Sequence, residues 1–535
     1  MRTNIYISAL LLATAMPMAA QDTYESARLM GEDLNGTARY VGLGGALDAL
    51  GADISTISTN PAGIGLFRHS TVSASVGLVS QQDAKKFDGL GKTNLSFDQI
   101  GFVYTNDFND NSFINFAFNY HKSRNFDQLL SAANSLHRAS LNKTTYAKVA
   151  YGDVRNGGFD IDENNQGELM GYEHPTSDLR ALTFSQLDYL QANALLNEPS
   201  DGLLYFNDAD AFIFDRAHRG WIANYDFNLS GNVKNRFYWG VTIGARSVNY
   251  KGYTEYTEGL VFSDGSDAGI VTIADERKVS GTGYSLKGGI IFRPLEYSPL
   301  RFGLSVSTPT WYDLKTENTT LLINNSQIGA YDEGENSERY DFKLYTPWTF
   351  GLSAGNTIGN NLAIGLGVDY ADYGATRNRI NDGYDAYGDE ESYTDENMKR
   401  NTERSLKGVA TVKAGIEYKP DPALAIRLGY NYVSPMYDEG GFRDATLNSY
   451  GVMYSSTADY TNWKSTNRIT CGMGFKAGNV NIDLAYQYNT TSGDFYPFQP
   501  NLDFKDGDTY ETNVCNPTKV TNKRHQLLLT LGYTF

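Results

Sequence analysis

Beyond its first twenty residues this chain has no run of 18 apolar residues, so it offers no helix able to cross a bilayer. Cysteine is scarce. Cys471 falls within a predicted strand and Cys515 in a distant loop, so one bridge at most could form, and their placement argues against it. The six histidines are scattered without metal-ligand spacing, and neither a G-x-S-x-G nucleophile turn nor an H-E-x-x-H zinc helix occurs. These absences argue against an enzyme and give no cofactor to expect. Basic residues number 45 against 62 acidic ones, a net charge of -17 that argues against nucleic acid as a partner and suits a surface bathed in divalent cations.

Tyr (38), Phe (27) and Gly (53) are abundant, yet the mean hydropathy is -0.42. A membrane barrel reconciles the two, because only alternate residues of each strand face lipid. From Thr71 onward the hydrophobic period is two, and fourteen segments stand out. Val480, Ile482, Leu484, Tyr486 and Tyr488 share one face, with Asn481, Asp483, Ala485, Gln487 and Asn489 on the other. The runs Leu362 to Tyr370, Leu424 to Tyr432 and Phe237 to Ala245 repeat the pattern. The remaining segments centre near Val76, Phe102, Phe116, Tyr225, Leu286, Leu304, Phe350, Val412, Met473 and Leu529.

The connections alternate in length. Short ones, such as Gly231 to Asn235 and Ala477 to Asn479, alternate with long ones, such as Ser247 to Gly283 and the longest, His121 to Arg219. Short turns at one end and long loops at the other are the arrangement of outer-membrane barrels, and an even strand count would place both termini in the periplasm. Leu529, Leu531, Tyr533 and the final Phe535 share a face, which resembles the terminal strand read by barrel-assembly machinery. The predicted fold is all-β: a 14-stranded antiparallel transmembrane β-barrel.

Residues 1–20 read as a signal peptide, with Arg2, an apolar stretch from Ile5 to Met16, and Pro17-Met18-Ala19-Ala20 before Gln21. Residues 21–69 are predicted to form an N-terminal plug in the lumen, and residues 70–535 the barrel. Fourteen strands enclose more space than their own side chains fill. The stretch Thr37 to Phe67 is rich in Gly, Ala, Ser and Thr, and small residues let backbone pack closely on backbone. Gly42, Gly44 and Gly45 do not form a nucleotide loop, since position 47 is Leu and no βαβ unit surrounds them. Asn60-Pro61 is a turn starter.

This stretch, with acidic punctuation at Asp48 and Asp53, a Ser/Thr run, and then Asn60, Pro61, Ala62 and Gly63 just before the first strand, resembles the hatch of the FadL/TodX family of outer-membrane transporters of hydrophobic compounds. The resemblance implies passive uptake of a hydrophobic small molecule, of the long-chain fatty acid or aromatic hydrocarbon class. The protein would act as a monomer in the cell outer membrane of a Gram-negative bacterium. Its implied partners are outer-membrane lipid, the hydrophobic ligand and barrel-assembly machinery. The family captures substrate at its outer loops, passes it to a lumen pocket near the hatch, and releases it sideways through a gap in the wall. Two other readings stay open: a non-specific diffusion porin, and a surface-exposed adhesin or structural barrel.

Several residues are candidates for sites. Phe113, Ile222, Ile291, Val409 and Leu528 are apolar residues on otherwise inward polar faces, so they either line a ligand path or pack against the plug. Lys287, Lys413, Glu417, Arg427 and Asp483 are charged and also point inward. In the longest loop, Leu182, Phe184, Leu187, Leu190, Leu195 and Leu196 have mixed helical spacings, as a lid over the mouth or a bland surface loop would. Asp162, Asn164, Gln166 and Glu173 sit at EF-hand offsets, a weak calcium-loop candidate for which a solvated polar loop is the preferred reading. His121 or His218 near the rim is the one foothold for enzyme chemistry.

Overall fold

A computed structural model describes residues 21–109, 112–152, 159–163, 169–173, 184–196, 204–329, 332–384, 390–506 and 509–535; the predicted signal peptide lies outside them. The barrel strands are β1 (Thr71–Gln81), β2 (Thr93–Asn109), β3 (Ser112–Asn125, resumed as Gln128–Ser135), β4 (Asp208–Val233), β5 (Phe237–Val261), β6 (Asp267–Phe292) and β7 (Arg301–Ser307, resumed as Trp311–Ser326). They continue as β8 (Glu333–Tyr345, resumed as Thr349–Ile358), β9 (Leu362–Asp372, resumed as Arg377–Tyr384), β10 (Gly408–Asp421), β11 (Leu424–Val433), β12 (Tyr460–Ala477), β13 (Val480–Tyr496) and β14 (Thr518–Thr534). Each pairs antiparallel with the next, and β14 returns to β1 from Thr71↔Thr534 to Gln81↔Arg524. Closure leaves no open sheet edge, which is what allows strands to span hydrocarbon.

The outward face is apolar on every strand. Val480, Ile482 and Leu484 are 38%, 40% and 41% exposed, whereas their inward neighbours Ala485 and Gln487 are buried. Leu529, Leu531, Tyr533 and Phe535 are exposed on the same outer surface.

The strands run further toward the long-loop end than the sequence suggests. Residues 247–261 and 267–283, expected within a loop, are paired β5 and β6, and only 262–266 turn between them. Likewise His121 and Arg219 lie inside β3 and β4, so the longest connection is 136–207. The cause is an inversion of phase. Past the apolar belt Asn249, Lys251, Glu276 and Lys278 point outward, while Val248, Tyr250 and Val279 are buried inside.

Residues 22–67 pass along the inside of this wall. They form α1 (Thr23–Leu29), α2 (Ala38–Gly42) and two 3₁₀ turns, Ile54–Ser58 and Pro61–Leu66. Asp22, Thr37, Asp53 and Asn60 each cap one of these with a side-chain oxygen that accepts backbone N–H bonds. Gln21, the first described residue, and Phe535 do not lie at the same end of the barrel, whereas the sequence reading expects both termini on one side. Phe535 is at the short-turn end, where its N–H donates to Ser70 O at 2.9 Å. Gln21 lies against Gly451 in the long connection between β11 and β12, because the N-terminal segment climbs the whole bore.

The long-loop end is capped. Helices α3 (Asn142–Gly152) and α4 (Gln186–Gln191, continuing through 192–196) sit in the 136–207 connection. Leu187, Leu190 and Leu195 pack with Phe212, Phe214, Leu322, Phe495 and Phe498, and Phe184 and Leu196 are buried too. The helical lid is therefore present; Leu182 lies outside the described residues.

Candidate functional site

The segment 37–67 is seated on a collar of small inward residues. Gly365 of β9 faces the Ala46 carbonyl, Gly415 of β10 faces Leu43, and Gly429 of β11 faces Gly44. Gly472 of β12 meets Gly42, with 3.3 Å from the place a Cβ would occupy to the Gly472 Cα. Gly44 has φ +63, and a Cβ there would lie 2.8 Å from Tyr430 N and O, so both conformation and space demand glycine. On the opposite wall Asn60 and Pro61 rest on Gly289 and Gly240. Asn60 accepts the Ala62 N–H at 3.2 Å, and Gly63 O accepts the Ala52 N–H at 3.0 Å. Asn60, Pro61, Ala62 and Gly63 thus build a capped turn docked on β5 and β6, outside the lining of the cavity described next.

Inward charges seen in the sequence hold this seat. Lys413 pairs with Asp48 at 2.9 Å and with Asp369, while Arg427 pairs with Glu417 at 2.7 Å and with Asp483. Arg39 reaches Glu417 at 3.2 Å, and the Lys287 ammonium donates to Ser58 O. Asp48, Arg39 and Ser58 of the N-terminal segment thus meet the wall charges, while Lys413–Asp369, Arg427–Glu417 and Arg427–Asp483 pair within the wall.

Above the seat lies a cavity of about 360 Å³. Leu29, Met30, Phe126, Tyr312, Tyr373 and Met436 make part of its lining apolar; Thr411, Asn431, Thr466, Asn489, Thr491 and Asn522 make another part polar. Glu32 of the plug pairs across it with Arg246 at 2.8 Å. Burial alone would raise the Glu32 carboxyl, but Arg246, with Lys287 behind it, holds it down at about 2.

Beside this chamber the wall is interrupted. Pairing of β2 with β3 stops at Gln99↔His121, β3 slips register between Lys122 and Arg124 against β4, and it breaks at residues 126–127. Hydrogen bonds from residues 33 and 35 and from neighbouring side chains bridge this interruption. Asp33 donates its N–H to Ser123 O at 2.8 Å, and its carboxylate accepts the Asn125 N–H at 2.9 Å. Asn35 Nδ2 donates to Asp98 Oδ1 at 2.9 Å and to Lys122 O at 3.0 Å, and Lys122 Nζ donates to Ser96 Oγ at 3.1 Å. Sequence reasoning did not locate this interruption. Its signal is the loss of strict alternation around Lys122 to Leu130, where Leu129 and Leu130 are both buried.

The five candidate path residues do not form one path. Ile291 packs on Ala62 and Tyr238, and Leu528 on Leu34, Ala38 and Leu43, so both serve the plug. Phe113 lies under the Arg68 guanidinium, 4.4 Å from its ring centre, near the short turns. Ile222 joins Leu29, Phe126 and Tyr312 in the apolar cluster beside the chamber, and Val409 lines the chamber itself. His121 and His218 are buried rather than at the rim: His121 Nδ1 lies 3.5 Å from Asp226, and His218 packs edge-on to Tyr250. Asp162 and Glu173 fall on two short strands that pair with each other; Asn164 and Gln166 lie outside the described residues. Cys471 is exposed on the outer face, Cys515 is buried in a loop, and both are free thiols.

No protein-family model matches this chain, and no curated protein does. Among solved structures it resembles the Ralstonia pickettii toluene transporter TbuX, at 10% identity and a TM-score of 0.46 over 94% of this chain and 99% of that one. It also resembles the CymD monoaromatic hydrocarbon channel, at 9% identity and 0.48 over 94% and 99%, and a Pseudomonas aeruginosa FadL homologue, at 11% and 0.47 over 97% and 100%.

Proposed function

We propose that this protein is an outer-membrane channel for passive uptake of hydrophobic small molecules, with residues 21–69 as the hatch that gates its lumen. The interruption of the third strand carries this reading, because it adjoins the chamber and is bridged only by Asp33 and Asn35 of the N-terminal segment and by side chains of the neighbouring strands. Cargo of the long-chain fatty acid or aromatic hydrocarbon class would enter beneath the helical lid, rest against Leu29, Phe126 and Tyr312, and leave sideways. No fuel is needed, since each methylene withdrawn from water gains about 0.8 kcal/mol. The short turns then face the periplasm and the long loops the cell exterior. A diffusion porin fits poorly, because the bore is filled by residues 37–67 and the mouth is capped.

Mass spectrometry of organic extracts of the protein purified in maltoside tests the reading. A bound acyl or aromatic compound is expected, and it should be lost on deletion of residues 22–67. If neither form carries an amphiphile, and the intact protein conducts salt as an open pore in planar bilayers, the porin reading replaces this one.

A further inference from the structure

The connection between β1 and β2, residues 82–92, lies back on the outer wall of the barrel. It turns at Asp88-Gly89, with φ +44 and +73, the left-handed pair that a two-residue Asp-Gly turn requires. Phe87 and Leu90 therefore face each other and exchange N–H···O bonds at 3.3 and 2.9 Å. Leu90, with Ala84 and Phe87 beside it, packs on Leu129 of β3 and Ala217 of β4. Ala217 shares the outward register of Ile213 and Trp221, which are 60% and 39% exposed, yet it is 1% exposed because Leu90 covers it. Phe87 also stacks on Tyr253 of β5 at 5.7 Å, and Asp88 pairs with Arg219 at 2.7 Å. Apolar packing thus seats this strap across β3, β4 and β5.

The seat is where the apolar belt ends. On β1 and β2 the last outward apolar pair is Leu78↔Leu95, and the next outward pair is Ser80↔Thr93, joined through their hydroxyls at 2.8 Å. On β4 the belt ends at Trp221, with the Lys122 ammonium 5.2 Å from its ring centre. A tryptophan beneath a lysine marks the level of lipid headgroups. Ala217 comes two outward positions beyond Trp221. Beside the strap Leu95 is 83% exposed and Phe97 is 44% exposed, so lipid-facing apolar surface reaches its edge.

What the strap turns outward is basic. Lys85, Lys86 and Lys92 are exposed, and among the described residues none of them forms an ion pair. The two acids of the strap are already answered, Asp88 by Arg219 and Asp83 by Lys523 at 3.9 Å. Uncompensated cations thus gather at one edge of the belt in a chain whose net charge is -17. The anion available at that height is the phosphate of a lipid whose acyl chains lie along Leu95 and Phe97.

We propose that residues 82–92 are a lipid-binding strap: Lys85, Lys86 and Lys92 dock on the phosphate of an anionic lipid in the outer leaflet, and the lipid pins the strap to the wall beside the interrupted third strand. Gln81 ties strap and strand together, its side chain donating to Leu129 O at 2.6 Å and accepting the Leu129 N–H at 2.8 Å, just past the break. The inference takes from the uptake reading only that the long loops face outward, and it concerns the membrane and not the cargo.

The test is retention of dioleoylphosphatidylglycerol by the full-length protein in maltoside, read by native mass spectrometry, with dioleoylphosphatidylcholine as the comparison. Phosphatidylglycerol should bind more tightly. Lys85→Gln with Lys86→Gln and Lys92→Gln should weaken it about tenfold while leaving phosphatidylcholine unchanged. The three side chains are exposed, so the variant keeps the packing of the barrel. Hydrogen exchange in nanodiscs localises the contact: adding phosphatidylglycerol to phosphatidylcholine should slow exchange at the Phe87 and Leu90 amides in the parent and not in the variant. Equal retention by parent and variant, or exchange at Phe87 and Leu90 that ignores the added lipid, overturns the strap. Displacement of the lipid by millimolar inorganic phosphate makes it a site for free anions and overturns the lipid assignment. A protein that carries extractable cargo but retains no phosphatidylglycerol loses this inference alone; one that retains the lipid but carries no cargo loses the uptake reading alone.

Discussion

Replacing Gly365 and Gly429 together by Ala should unseat the hatch while leaving the barrel intact. A β-carbon at Gly365 would overlap the Ala46 carbonyl oxygen, and one at Gly429 would overlap Gly44 N and the Leu43 carbonyl carbon, with Thr470 Oγ1 at 2.5 Å. The obstructing atoms are mostly backbone, so no side-chain rotation relieves them. Overpacking of this kind costs about 1–3 kcal/mol per site. The two sites press on one short stretch, Leu43 to Ala46, so their costs are not independent. A combined cost of about 3 kcal/mol lowers the docked-to-undocked ratio roughly 150-fold. Ala is a normal inward strand residue, and the outer belt is untouched. Hydrogen exchange on protein in lipid nanodiscs should therefore show a loss of protection confined to the amides of Val41 to Leu47, with heat-modifiable gel migration unchanged. Gly532→Ala is the control, because its nearest neighbour would lie 3.7 Å away. If the double variant protects Leu43 to Leu47 as well as the control does, the collar does not hold the hatch.

At the long-loop end, Arg443 holds Asp22 at 2.5 Å and Glu25 at 3.4 Å while also donating to Ser455 and Thr457. Arg443→Ala strands the buried Asp22 carboxylate, since Glu25 keeps Arg277, at a cost of about 3–5 kcal/mol, so protease should cut α1 in the variant and not in the parent. Burial, with Glu258 nearby, pushes the Cys515 thiol up to about 12; it should resist maleimide at pH 8. Cys471 stands on the outer belt between Ile469 and Met473, so in membranes an apolar maleimide should label it and a charged one should not. Leu190→Asp places a charge in the lid cluster with Phe212 and Phe495 and should increase conductance in planar bilayers by loosening the cap.

The membrane-spanning part of this fold is legible because hydrocarbon imposes one rule on all fourteen strands. Val480, Ile482 and Leu484 must face out, and they do. Beyond the belt that rule no longer applies. Inside the long-loop end the barrel builds an apolar core from Val248, Tyr250, Tyr312 and Phe342, and its outer surface turns polar, so the same strands read as loops. The segment 37–67 stands out in the sequence by its small residues, but the collar of glycines it rests on reads only as part of an inward polar face. Sequence placed Phe113, Ile222, Ile291, Val409 and Leu528 together because they break alternation. Alternation does not tell a residue that packs on the hatch, such as Ile291, from one that lines the chamber, such as Val409. The broken third strand leaves a mark of only a few residues, which pairing partners reveal and periodicity does not.

Asn35 of the N-terminal segment bridges the wall interruption from inside, bonding Asp98 of β2 at 2.9 Å and the Lys122 carbonyl of β3 at 3.0 Å. Converting Asn35 and Asp98 to Cys, with Cys471 and Cys515 changed to Ser, allows that bridge to be locked by oxidation and released by reduction. Uptake of radiolabelled dodecanoate by cells carrying this protein as their sole importer should stop when the lock is closed and return in full on reduction. Uptake that continues at the parent rate through the locked protein would show that cargo does not leave beside the third strand.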